Sequence, residues 1–341
     1  MSKPEAEAKL RLIQFKDDKG QRKVGRVEAD GDHAVTLKDV RTVYDLANMA
    51  LDRGVGLATL ATELAKGERI DYGALLNAGR VLTPVDHPDP ARLLITGTGL
   101  THTGSAAARN KMHTMTQNPN APESDSMKIF RMGIEGGKPA AGKIGVQPEW
   151  FFKGTGLSVV APGAALRMPA FALAGAEEPE VVGIYILDKT GQPFRLGFTL
   201  GNEFSDHVTE AQNYLFLAHS KLRNCALGPE LLLGDLPQDV RGKTRVIRNG
   251  KAIWEDDFLS GESNMSHTVA NLEHHHFKYG IFRRPGDLHA HFFGAAVLSF
   301  AAGVKTAPGD EFEIDAPPFG KPLRNPMEKV KDEGLVTVRA L

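Results

Sequence analysis

At 341 residues with 41% hydrophobic content, the chain holds enough apolar material for one large domain or two ordinary ones. Its 41 basic and 42 acidic residues leave a net charge of -1, which excludes the strong positive field of a nucleic-acid or acidic-membrane binder and suits a small neutral or anionic ligand. The one cysteine, Cys225, excludes an internal disulfide and fits a reducing cytoplasm; in the apolar run RNCALGP it reads as buried rather than nucleophilic.

The opening run MSKPEAEAKLRLIQF lacks an uninterrupted apolar core, so no secretory signal is expected. No stretch is apolar over the length of a membrane span, and a soluble cytoplasmic protein is the expectation. LRLIQF, KVGRVEAD and HAVTL are predicted strands separated by the polar turns DDKGQR and DGD. Two predicted helices follow, VRTVYDLANMALDRG and LATLATELAKG, each apolar at spacings of three and four and each ended by glycine. PVDHPDPAR then reads as a linker. These features place a small α+β domain over residues 1–90 and a larger domain over 91–341. Nothing in the first part converges into a chemical site.

LLITGTGLTHTGSAAARNKMH opens the second part as a strand, a glycine-rich turn and an alanine-rich helix, an arrangement that offers backbone N–H groups to an anion. It is not a phosphate loop, because the GK[ST] ending is absent. The run over about 114–150 is rich in Pro, Gly and Ser around one short apolar core and is read as an irregular, lid-like insertion.

The most informative stretch is Glu177 to Pro229. VVGIYIL, the polar turn DKTGQP and FRLGFTL form a predicted hairpin. Glu178 and Glu180, two apart on an extended segment, point to one face, and Glu203 and Asp206 follow the second strand at the same end. Three converging carboxylates repel one another unless a cation sits between them. An oxygen-only ligand set suits Mg²⁺, Mn²⁺ or Ca²⁺ rather than zinc; solvated loop acids are the plainer alternative.

The order of these pieces resembles the fumarylacetoacetate hydrolase superfamily, which carries a Glu-x-Glu on one strand, an acid in an N-D-x-S-x-R-D run after the next, and a lysine before a Gly-Pro. Here these are Glu178 and Glu180, GNEFSDH with Glu203 in the acid position, and HSKLRNCALGP with Lys221. FFKGTGLSVVAPGAALRMP resembles the family's phenylalanine-lysine run, which brings in Phe152 and Lys153 as substrate-binding candidates. The runs GNEFSDHVTEAQNYLFLAHSKLRNCALGPELLLG and NLEHHHFKYGIFRRPGDLHAHFFG resemble a sugar-acid branch whose wider relatives include 2-keto-3-deoxy sugar-acid dehydratases.

The resemblance implies an α+β fold with a mixed β-roll catalytic domain, a homodimer, Mg²⁺ (with Mn²⁺ as a substitute) held by Glu178, Glu180 and Glu203, and a small 2-keto acid as substrate. The family's G-x-N-Y-x-x-H-x-x-E run supplies an acid/base pair; in GLTHTGSAAA, Ser105 replaces the histidine and Ala108 the glutamate. Loss of both argues against simple hydrolysis, which needs a base to activate water, and favours dehydration of a 2-keto-3-deoxy pentonate to a semialdehyde. Lys221, His102 and Ser105 are then the catalytic candidates, and Arg109 is a further substrate-binding candidate as a carboxylate partner. The alternatives are a carbon–carbon hydrolase of a 2,4-diketo acid and a non-catalytic sugar-acid-binding protein.

His274, His275, His276, His289 and His291 make a zinc site conceivable, though hydrogen-bonding roles fit consecutive histidines better. PGDEFEIDAPPFG resembles the family's final G-D strand before a substrate-contacting T-G-T-P turn, with the threonines absent.

Overall fold

The computed structural model describes residues 9–104, 124–332 and 334–341. Ser105, Ala108 and Arg109 lie outside the described residues. In the leading part, β1 (Arg11–Lys16), β2 (Arg22–Val27) and β3 (His33–Thr36) form a meander. α1 (Val43–Arg53) follows, where Thr42 caps the first turn by accepting from Asp45 N–H and Gly54 ends the helix in the left-handed region. α2 (Leu57–Leu64), β4 (Arg69–Asp71) and α3 (Tyr72–Asn77) complete it.

β5 (Leu93–Gly99) follows, and after it α4 (Asp125–Gly136), capped by Ser124. Of the irregular insertion expected over 114–150, Asp125–Gly136 is helical and residues 137–148 have no regular structure. That part is anchored rather than loose: Gly145 N–H donates to Asn271 Oδ1 at 2.8 Å, and the Asn271 amide donates to Val146 O at 2.9 Å. β6 (Glu149–Thr155), β7 (Val159–Val160) and β8 (Leu166–Met168) lead to the predicted hairpin, β9 (Pro179–Leu187) and β10 (Pro193–Asn202). Two short helices, α5 (His207–Gln212) and α6 (Leu217–Lys221), precede β11 (Cys225–Leu227) and β12 (Leu231–Leu232). The remaining elements are β13 (Val240–Arg248), β14 (Lys251–Ser260), α7 (Val269–Phe277), β15 (Leu288–Phe292), β16 (Glu311–Asp315) and β17 (Leu323–Lys329).

These strands make a mixed sheet in the order β4-β3-β2-β1-β12-β10-β9-β15-β5-β6, with β11 and β7 branching from β10, and a second sheet in the order β14-β13-β16-β17-β8. The architecture is α+β, as expected. Alternation along the central ribbon sorts side chains into two layers. Val181 and Leu200 pack toward the second sheet with Phe198, Phe312 and Leu323. Val182, Ile184 and Ile186 pack on the other side with Leu12, Leu46, Leu231 and Leu288. β1 pairs with β12, Leu12 facing Leu231, so the leading residues share both sheet and core with the rest. No helix among the described residues is long and apolar enough to cross a membrane.

Candidate metal centre

The β9–β10 ladder extends past the strand ends. Glu203 N–H donates to Glu178 O at 2.9 Å, and Ser205 and Ala176 exchange both backbone bonds at 3.0 Å. Glu178 and Glu180 are two apart on one edge, Glu180 faces Gly201 across the ribbon, and Glu203 follows two residues later. All three carboxylates therefore leave the ribbon on one face. One oxygen from each lies within 4.8 Å of the others, and all three residues are buried.

Lys221, at the end of α6, inserts its ammonium between two of them. Nζ is in close contact with Glu178 Oε1, 3.0 Å from Glu203 Oε2, 3.9 Å from Glu210 Oε2 and 5.0 Å from the centre of the Phe151 ring. Burial alone would push this lysine down, but the three carboxylates outweigh it and hold its pKa well above the ordinary value. Lys221 is accordingly an ammonium here, a source of charge and protons rather than a base. Its charge, with a hydrogen bond from His207 Nε2 at 3.1 Å, draws Glu178 well below the carboxylate range despite burial.

Glu180 has no such cation. Burial, then the charges of Glu203 and Glu178, push its carboxyl well above the usual range, and burial pushes Glu203 up as well. Glu180 Oε2 accepts from Gly294 N–H at 2.6 Å, while Glu180 Oε1 is buried without a hydrogen-bond donor. Lys153 Nζ pairs with Glu203 Oε1 at 3.0 Å and also donates to Phe204 O and Lys221 O, at 2.8 and 3.0 Å. One orphaned carboxylate oxygen, Glu180 Oε1, in a cluster where Glu178, Glu180, Glu203 and Glu210 outnumber Lys153 and Lys221, fits a hard divalent cation with oxygen ligands.

Lys153, expected to bind substrate, has three protein oxygens around its ammonium and acts as a tie on the turn after β10. Phe152, expected beside it, sits on the opposite face of β6, 38% exposed, because neighbours on a strand alternate. Phe151 and Glu149, both buried, share the Lys153 face instead. His102 is fully buried, its ring 3.1 Å from Thr101 Oγ1 and 3.0 Å from Ser260 Oγ, and burial with the neighbouring His267 lowers it to about 3. The Ser260 bond ties it to the end of β14, and its backbone pairs with Met265. Asp206 caps α5 and pairs with Arg223 at 3.2 Å, so it serves the fold near the triad.

Of the histidines weighed for zinc, His276 Nδ1 accepts from Trp150 Nε1–H at 3.3 Å, His276 Nε2 faces His289 Nδ1 at 2.9 Å, and His291 Nδ1 meets Thr96 Oγ1 at 2.8 Å. Hydrogen bonding uses these nitrogens, and none of these histidines belongs to a metal-capable group among the described residues. Glu28, Asp30 and His33 do group, but Arg69 already pairs with Glu28 at 2.6 Å and Asp30 at 3.1 Å. The PGDEFEIDAPPFG run lies in the second sheet and its following turn. It is the segment after β15, Gly294 to Phe300, that touches the acids. The sequence reading missed it, along with Glu177, His207, Ser299 and Phe300, since nothing local to residues 294–300 announces a contact more than 100 residues away.

A groove of about 700 Å³ lined by Leu51, Val55, Leu187, Phe194 and Pro285 opens at the Leu187 end of β9, with Asp52 and Lys189 paired at its rim at 2.6 Å. It is seven residues along the strand from Glu180, roughly 24 Å by strand rise, and lacks the converging acids of the triad.

No family model matches the chain. A probable 2-keto-3-deoxyxylonate dehydratase of Haloferax volcanii is 26% identical over 223 residues, covering 64% of this chain and 66% of that protein. A 2-dehydro-3-deoxy-D-arabinonate dehydratase of Saccharolobus solfataricus is 28% identical over 198 residues, covering 54% and 57%. The matches thus span less than two thirds of either relative. Among solved structures, a 2-keto-3-deoxy-D-arabinonate dehydratase described as complexed with magnesium and 2,5-dioxopentanoate aligns with a TM-score of 0.66 at 20% identity, covering 94% of this chain and all of that one. A 5-carboxymethyl-2-hydroxymuconate delta-isomerase from Mycobacterium smegmatis aligns at 0.56 and 16% with the same 94% coverage. The fold is of the fumarylacetoacetate hydrolase type expected from the sequence, and the two sequence relatives bear the names of sugar-acid dehydratases.

Proposed function

We propose that the chain is a hydro-lyase that removes water from a 2-keto-3-deoxy sugar acid, a pentonate giving 2-oxoglutarate semialdehyde, with Mg²⁺, or Mn²⁺ in its place, held by Glu178, Glu180 and Glu203. The observation that carries this reading is the convergence of three buried carboxylates, Glu178, Glu180 and Glu203, with Glu180 Oε1 lacking a hydrogen-bond partner, beside the Lys221 ammonium. The dehydratase names of the sequence relatives, and the magnesium and dioxo acid described for a structural neighbour, support the choice of chemistry.

When bound, the ion supplies Lewis-acid polarisation of a keto acid. Dehydration breaks one C–H bond beside the keto group and one C–O bond on the next carbon, and proton and hydroxide leave as water. Lys221, kept charged by Glu178, Glu203 and Glu210, presents the positive charge that a substrate carboxylate and the electron-rich intermediate require. Lys153 holds Glu203 in place from below. The burial of Phe151 under Lys221 keeps water away and strengthens each of these charges. We extend the reading to a cytoplasmic homodimer. The dimer is supported by exposed Phe171 and Leu173, which contact Arg223 and Asp206, and by exposed Leu222 beside them in the chain.

The test is an assay of metal-stripped protein, resupplied with Mg²⁺ or Mn²⁺, on 2-keto-3-deoxy-pentonates, -hexonates and 2,4-diketo acids, with products identified by mass. Loss of one water that needs the metal and vanishes in Glu180→Gln is the expected result. Cleavage into two acids would instead assign the site to carbon–carbon hydrolysis.

A further inference from the structure

Glu177 lies next to two of the proposed ion ligands yet turns away from them. Its carboxylate is fully buried and doubly bonded to one residue: Oε1 accepts from Ser299 N–H at 2.8 Å and Oε2 from Ser299 Oγ–H at 2.7 Å. Phe300, next in the chain, stacks on His207 with ring centres 5.2 Å apart at 23°, and His207 in turn bonds Glu178. At the front of the same segment, Gly294 donates its N–H to Glu180 Oε2. Gly294 sits at φ +100, and a side chain there would collide with Thr101 Oγ1 and Thr98 O, so only glycine brings its N–H this close. One segment, Gly294 to Phe300, therefore touches Glu177 and Glu180 directly and Glu178 through His207.

The consequence is a choice between oxygens. The Gly294 N–H occupies Glu180 Oε2, so Oε1 is the oxygen left without a hydrogen-bond partner. Phe293 N–H on Val181 O and Thr101 Oγ1–H on Phe293 O hold the near end of the segment; from Gly294 to Ser299 the chain is irregular, and the doubly bonded Ser299 anchors its far end on the acid strand. We infer that Glu177 and Ser299 form a latch that fixes the 294–300 segment against the ribbon, and so sets the orientation of Glu180 and the affinity of the site for a divalent cation. Both are positioning residues, and the inference rests on the metal reading given above. Partners one layer out from a metal commonly change its affinity by about 10- to 100-fold.

The test is Mn²⁺ binding, measured by electron paramagnetic resonance on wild type, Ser299→Ala, Ser299→Thr and Glu177→Gln, with the melting temperature of each metal-free protein recorded alongside. Ser299→Ala is expected to bind Mn²⁺ about tenfold more weakly at a temperature where it is fully folded, and Ser299→Thr, which keeps the hydroxyl, to recover most of the loss. Glu177→Gln keeps one acceptor oxygen and the same volume, so it remains a folded probe if Ser299→Ala does not, and its expected weakening is of the same sign. Wild-type binding with unchanged Mn²⁺ affinity in the folded variants would overturn the latch and leave the metal reading standing. Absence of Mn²⁺ binding to wild type would remove both.

Discussion

Glu180 shows how a single buried acid can work against the fold and for the function. Its carboxyl is raised by burial and by the charges of Glu203 and Glu178, so the folded state holds a proton that the unfolded chain releases once the pH passes the ordinary carboxylate range. Stability from this group is complete below that range and is lost as pH rises from there toward its folded pKa. Glu180→Gln removes the liability: metal-stripped variant is expected to melt at or above the wild-type temperature at pH 7. Excess Mg²⁺ or Mn²⁺ at about 100 times its Kd should raise wild type by about 2.7 kcal/mol, roughly 4 °C for a chain of this size, and leave the variant unmoved. Calorimetry with and without metal decides it; a variant that gains as much as wild type removes Glu180 from the ion's ligands. The three acids were legible in the sequence because a Glu-x-Glu on a strand fixes both side chains on one face. Phe152 was misplaced for the same physical reason, since a one-residue shift on β6 exchanges faces and puts Phe151 under Lys221.

Among the elements, the β9–β10 hairpin and α1 were readable from local pattern alone, as β-branched runs around a polar turn and as apolar spacing between a threonine cap and a glycine stop. The packing of α7 on β15 was not, because consecutive histidines carry no periodic signal. The structure joins Trp150, His276 and His289 in one chain of hydrogen bonds, with His276 also stacked on His291 at 4.5 Å. Since His276 Nδ1 accepts from the indole, the proton sits on Nε2 and is offered to His289, so the arrangement requires neutral rings. Burial lowers His276 to about 3, and burial with neighbouring histidines takes His289 and His291 well down. Each contributes stability that is complete above its unfolded value near 6.5 and is lost as pH falls toward the folded value. His276→Phe should cost stability at pH 7, where the Trp150 N–H loses its acceptor, by about 1–3 kcal/mol. It should also flatten the fall between pH 6 and 4.5 by about 1.4 kcal/mol per pH unit. Urea unfolding of both proteins in chelator across that range measures the slope, and parallel curves would show that His276 does not govern acid sensitivity.

Over the whole molecule, the feature least visible in the sequence is the one that joins its two ends. A boundary near residue 90 follows from the PVDHPDPAR run, yet β1 pairs with β12 across more than 200 residues, and Arg11 reaches the fully buried Glu230 side chain at 3.1 Å. Strand pairing at that separation depends on which edge is free once the rest has folded, and no local pattern encodes it. The energetic weight of the joint is large. Removing residues 1–90 would uncover Ile184, Ile186, Leu231, Leu233 and Leu288, which pack with Leu12, Val24, Leu46 and Leu60. At about 1.5–3 kcal/mol for each aliphatic side chain, that exposure rivals the roughly 5–15 kcal/mol that holds a typical domain together. The full chain should therefore unfold in one transition, with far- and near-ultraviolet circular dichroism coincident along a urea gradient. A fragment starting at residue 91 should lack fixed tertiary structure and lose its Mn²⁺ affinity, because β12 borders β10, which leads into Glu203. Two separated transitions, or a folded fragment that binds Mn²⁺ as the full chain does, would make the leading residues an independent unit and confine the metal centre's support to the ribbon and the strands beyond it.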